Sequence, residues 1–105
     1  MENIIITKQN FNEEVVNSDK VVILDFFATW CGPCQMLSPV LLAIEEENKE
    51  ILKVCKVDVD KEQELALEFN VMNIPTLVIF KDGKVKKSVV GLRSKSELEN
   101  IIKTI

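Results

Sequence analysis

Residues 20–28, KVVILDFFA, form a nearly continuous apolar run rich in β-branched and aromatic side chains, broken after Lys20 only by Asp25. Such a run is how a strand covered on both faces reads, so helices are needed on each side of whatever sheet contains it. The rest of the chain supplies them. Residues 3–7 read as a short edge strand, and Phe11, Val15 and Val16 share a face of a helix whose start is marked by Asn10 and Glu13. Leu37, Leu41 and Ile44 recur at helical spacing, so a helix runs to about Asn48, with a kink expected at Pro39. Residues 51–59 alternate as a strand, with Leu52, Val54 and Lys56 on one face, and a short helix carrying Leu65, Ala66 and Phe69 follows. Residues 76–80 and 84–90 are two strands joined at Asp82-Gly83, a dipeptide that accepts the positive backbone angles of a tight hairpin. Ser94 and Glu97 form a capping box, and Leu98, Ile101, Ile102 and Ile105 make one buried stripe on a last helix. Early βαβ alternation requires parallel pairing and the late hairpin antiparallel pairing. The expected fold class is therefore α/β, a central mixed β-sheet flanked by helices on both faces.

The chain has 105 residues and no Pro-, Gly- or Ser-rich stretch, so a single domain over 1–105 is expected. Its net charge of −4 is the wrong sign for a sequence-independent phosphate binder, which argues against nucleic acid. No apolar stretch approaches the ~20 residues of a membrane-spanning helix, and Met1-Glu2-Asn3-Ile4 begins no secretory signal, so the expected location is cytoplasmic. The chain has no histidine, which removes Cys-His zinc sites and His-based catalytic pairs together.

What chemistry remains lies in Trp30-Cys31-Gly32-Pro33-Cys34, placed where the apolar strand ends and a helix begins. Unpaired N–H groups and the positive dipole end at a helix start stabilise an anion, so Cys31 is expected to be a nucleophilic thiolate. Residues three apart on a helical turn bring their α-carbons to about 5–6 Å, within reach of a disulfide, so Cys34 can close onto Cys31. Pro33 suits a first helical turn because its missing N–H has no partner there anyway, and Gly32 permits close approach of another chain. As a staple, a loop this short stabilises by only about 2 kcal/mol on the chain-entropy model, so a redox role fits better than scaffolding.

WCGPC after a strand bearing Asp25, with Ile74-Pro75-Thr76 further on, resembles the thioredoxin family. VVILDFFATWCGPCQMLSPVL, KVDVDKEQELALEFNV, NIPTLVIFKDGKV and VVGL agree with it in order and spacing over nearly the whole chain. The resemblance implies a thioredoxin-like fold and a protein-disulfide reductase. In it Cys31 attacks a substrate disulfide, and Cys34 then resolves the mixed disulfide. Asp25 matches a buried carboxylate that takes the Cys34 proton, and Lys56 the lysine beside it. Pro75 matches a cis proline facing the cysteines, and Trp30, Ile74, Thr76, Gly91 and Leu92 match the surface that docks substrate. The implied partners are disulfide-containing proteins and a thioredoxin reductase, the chain acting as a monomer. No cofactor is implied beyond the Cys31–Cys34 disulfide itself, since NADPH and flavin belong to that reductase. Three positions depart from the common pattern: Gln35 where a lysine or arginine is frequent, Phe27 for a tryptophan, and Asn73 for a glycine.

Blander readings stand beside these. Cys31 and Cys34 are half of a zinc site if two further ligands converge on them. Cys55 reads as a small buried apolar residue, Trp30 as core or contact residue, and Lys56 as a solvated strand charge or a partner of Asp25. Asp25 among Ile23, Leu24, Phe26 and Phe27 is costly unless it has a role, and Glu45-Glu46-Glu47 reads as a solvated helix face. Other functions compatible with the fold are an oxidase or isomerase, and an accessory binding module indifferent to its thiols.

Overall fold

The computed structural model describes residues 3–105. Five strands are ordered β1-β3-β2-β4-β5: β1 (Ile4–Ile5), β2 (Val21–Phe27), β3 (Leu52–Asp58), β4 (Thr76–Lys81) and β5 (Lys84–Val90). β3 is parallel to both β1 and β2, whereas β4 is antiparallel to β2 and β5 to β4, so the sheet is mixed and the apolar strand is central.

Three α-helices, α1 (Gly32–Glu47), α2 (Gln63–Glu68) and α3 (Lys95–Lys103), cover it. Period two along the strands divides the core in two. Leu24, Phe26, Cys55 and Val57 pack with Leu65, Phe69 and Phe11 on one face, while Ile23, Leu52 and Val54 pack with Leu37, Leu41, Ile44 and Leu98 on the other. Helices therefore lie on both faces, as a doubly covered strand requires.

The hairpin turn has Asp82 and Gly83 at φ 54° and 76°, the left-handed pair that suits the twist of its strands. The capping box is present in full: Ser94 Oγ accepts from the Glu97 amide, and the Glu97 carboxylate accepts from the Ser94 amide. Helix α1 continues past Pro39 to Glu47.

Three expectations are corrected. The segment after β1 is a single wide helical turn, Asn12–Val16, in which the Asn17 amide donates five residues back to the Asn12 carbonyl. Asn10 does not pair with Glu13. Its Oδ1 accepts from the Thr7 amide at 2.7 Å and its Nδ2 donates to the Ile5 carbonyl, so the side chain closes the turn behind it instead of capping a helix ahead. Glu45 is not solvated either. Its carboxylate accepts from the Val54 amide at 2.7 Å, one residue before the β1–β3 pairing begins, and from Asn3 Nδ2 at 2.8 Å.

Candidate active site

The register brings four chain segments to one end of the sheet. Phe27, the last residue of β2, is opposite Asp58 at the end of β3; Thr76, the first of β4, is opposite both Phe26 and Val90, the last of β5. Whatever follows β2, β3 and β5 or precedes β4 therefore emerges together, outside the carboxyl end of the central strand. Those segments hold Trp30 to Cys34, Val59 and Asp60, Gly91 and Leu92, and Ile74 with Pro75.

Cys31 and Cys34 are joined as a disulfide with α-carbons 5.3 Å apart. Cys31 is the N-cap of α1, and its Sγ accepts from the Cys34 amide at 3.2 Å, so one of the orphan donors of the helix start points at sulfur. Pro33 lies in the first turn, as its geometry favours. Both sulfurs are largely covered, packed with Ala28 against Phe27, Val59 and Ile74, and Cys31 Sγ lies 4.0 Å from the Ile74 carbonyl. Gly32 is exposed, and apart from its chain neighbours and its own helix backbone nothing lies within 4 Å of where a Cβ would stand, so that side is open to an incoming chain. Gln35 Nε2 donates to the Thr29 carbonyl at 3.0 Å and so ties the first turn of α1 to the loop before it.

The peptide bond between Ile74 and Pro75 is cis. The Pro75 carbonyl accepts from the Gly91 amide at 2.8 Å, and Gly91 has φ 92°, a backbone angle that favours glycine. Thr76 is buried, with its hydroxyl donating to the Asn73 carbonyl. Trp30 is 70% exposed, which settles it as a surface residue; Leu92 is exposed and Ile74 partly so. Met36 and Met72, not singled out from the sequence, add exposed apolar area immediately beyond the Cys34 and Ile74 segments.

Beneath the disulfide end, Asp25 is fully buried and neither carboxylate oxygen has a hydrogen-bond partner. Lys56 is its register neighbour on β3, with Nζ 3.7 Å from Oδ2. At that distance, beyond ordinary hydrogen-bond length, the ammonium acts mainly through its charge. Burial pushes the Asp25 carboxyl up to about 6, and the Lys56 charge only partly offsets it. Lys56 is itself well anchored: Nζ donates to Ser38 Oγ at 2.6 Å and lies 4.6 Å from the centre of the Phe27 ring. It is thus a partner of Asp25 and not a solvated charge.

Cys55 lies in the core beside Leu24 and Val57, where burial pushes its thiol up to about 12. It does not approach Cys31 or Cys34, and among the described residues no three Cys, Asp or Glu side chains gather as metal ligands. Among those residues no helix is long and apolar enough to cross a membrane.

A cysteine pair held as N-cap and first-turn residue, with a buried carboxyl behind it, defines a dithiol–disulfide oxidoreductase. The chain belongs to the thioredoxin family, whose family model matches residues 2–104. It is 50% identical over 97 residues to a thioredoxin of Listeria monocytogenes, 92% of each chain, and 45% identical over 96 residues to one of Bacillus subtilis, 91% of this chain and 90% of that one. A bifunctional thioredoxin reductase/thioredoxin of Mycobacterium leprae is 45% identical over 93 residues, 89% of this chain and 20% of the longer protein.

Proposed function

We propose that the protein is a cytoplasmic protein-disulfide reductase of one domain, in which Cys31 is the nucleophile, Cys34 the resolving thiol and Asp25 the proton acceptor. The observation that carries this is the amide of Cys34 donating to Cys31 Sγ at the start of α1. In the reduced protein the same donor and the helix terminus favour a Cys31 thiolate. That thiolate attacks one sulfur of a substrate disulfide, forming a mixed disulfide and expelling the other substrate sulfur as a thiolate. Asp25 takes the Cys34 proton, and the Cys34 thiolate then attacks Cys31 Sγ. The Cys31–Cys34 bond forms, the mixed disulfide breaks, and two electrons have passed to the substrate.

Trp30, Ile74, Gly91 and Leu92, with Thr76 shaping the loop from within, form the docking surface. An extended substrate segment pairs with backbone at Ile74, beside the open side of Gly32. Pro75 holds that loop against the cysteines and Lys56 steadies Asp25. A thioredoxin reductase returns the electrons from NADPH through its flavin. Support for that partner is the Mycobacterium leprae protein, whose name joins reductase and thioredoxin in one chain.

The test is a trap. Cys34→Ser mixed with an oxidised protein substrate accumulates a mixed disulfide through Cys31, Cys31→Ser does not, and the wild type releases reduced substrate. Failure of Cys34→Ser to trap any substrate, with the wild type unable to reduce it, would sink the reading.

A further inference from the structure

A buried carboxylate ordinarily has a hydrogen-bond partner, yet among the described residues neither oxygen of Asp25 has one, although Lys56 Nζ lies 3.7 Å away. The reason lies on α1. Lys56 Nζ is drawn to Ser38 Oγ at 2.6 Å, one helical turn beyond Cys34, and the Phe27 ring flanks it at 4.6 Å. Ser38 is half-buried and is the only side chain among the described residues that accepts a hydrogen bond from Lys56.

We propose that Ser38 is a positioning residue: by accepting from Lys56 it holds the ammonium at charge-pair distance from Asp25 and short of hydrogen-bond distance, leaving the carboxylate free to receive the Cys34 proton. This rests on the role given to Asp25 above. A lysine bonded directly to Asp25 would stabilise the carboxylate and weaken it as a base, whereas no lysine at all would let burial raise it further and leave less of the ionised base. An intermediate placement keeps its titration near the pH at which it works. The other groups packed around Asp25 do not compete for this function. Leu77, its neighbour on β4, is apolar; Asp58, two residues beyond Lys56 on β3, accepts from the Asp60 amide; and among the described residues Lys56 is the only cation within ion-pair distance of Asp25.

The experiment follows the Asp25 carboxyl carbon by NMR through a pH titration of the full-length oxidised protein, with no substrate present. Ser38→Ala removes the acceptor, so Lys56 turns to Asp25 and the midpoint falls by about one pH unit. Ser38→Thr keeps a hydroxyl and keeps the wild-type midpoint. Lys56→Met raises the midpoint, and adding Ser38→Ala to it changes nothing further, because Ser38 acts only through the lysine. In the reduced protein the acid limb of the pH profile for disulfide reduction by Ser38→Ala moves with the same sign. An unmoved midpoint in Ser38→Ala, or an equal fall in the Lys56→Met background, overturns the proposal. If the midpoint falls as expected but the activity profile stays put, Ser38 still places Lys56, and it is Asp25 as proton acceptor that fails.

Discussion

Trp30 Nε1 donates to Asp60 Oδ2 at 2.9 Å, so an indole that is 70% exposed is nevertheless fixed in orientation. The bond joins the segment after β2 to the segment after β3, and it anchors the indole that directly precedes Cys31 in the chain. Asp60→Ala frees the ring. The steady-state fluorescence anisotropy of Trp30, the only tryptophan, falls, and KM for a protein disulfide rises about two- to fivefold, matching the loss of one exposed charge-assisted hydrogen bond. Unchanged anisotropy would show that packing alone holds the indole.

Asp25 weakens the fold at neutral pH. Its carboxyl is raised by burial from 3.8 to about 6, so the native state binds the proton more tightly than the unfolded chain. The resulting stabilisation is complete below the unfolded value and is lost as pH rises through about 6, a change of about 3 kcal/mol on linkage. Asp25→Ala removes that dependence. Urea unfolding of the oxidised proteins at pH 4 and pH 7 should show the variant gaining about 2–3 kcal/mol on the wild type between the two. A constant difference between them would mean that the carboxyl is not raised.

Glu45→Ala strips the Val54 amide of its acceptor, and Val54 is fully buried in β3. An orphaned buried donor costs about 1–3 kcal/mol. Glu45→Gln, which retains an acceptor oxygen, should lose less than half as much in the same unfolding experiment. Equal losses would assign the effect to charge instead.

Cys55 should be chemically silent. Buried and pushed up to about 12, it has almost no thiolate and no access. An aromatic disulfide reagent added to the oxidised native protein reacts about three orders of magnitude more slowly than with the urea-unfolded chain, because reaction waits on opening of the fold. Comparable rates in both states would place the thiol at the surface.

The features read correctly from the chain were those decided by neighbours in sequence. Asp82-Gly83 sets its own turn, Ser94 and Glu97 cap their own helix, and Cys31 and Cys34 lie one turn apart on α1. The features missed were those in which a side chain answers to a residue far along the chain. Glu45 looks solvated until Val54 arrives beside it from the next strand, and Ser38 is an unremarked helix residue until β3 brings Lys56. Asp60 meets Trp30 only because β2 and β3 end together. Asn10 failed for a local reason: its amide satisfied Thr7 and Ile5 behind it, a competing pattern that the spacing to Glu13 does not reveal.

The two sulfurs pack in a small cluster of their own, with Ala28, Phe27, Val59 and Ile74, and only Val59 is shared with a main core. The bond between them thus sits among a handful of side chains at the tip of the sheet, touching the large cores through Val59 alone. In electrical language the fold is a capacitor with stiff plates. A pair of electrons is stored at the edge of the structure, where its arrival and departure ask little mechanical work of the two cores behind it.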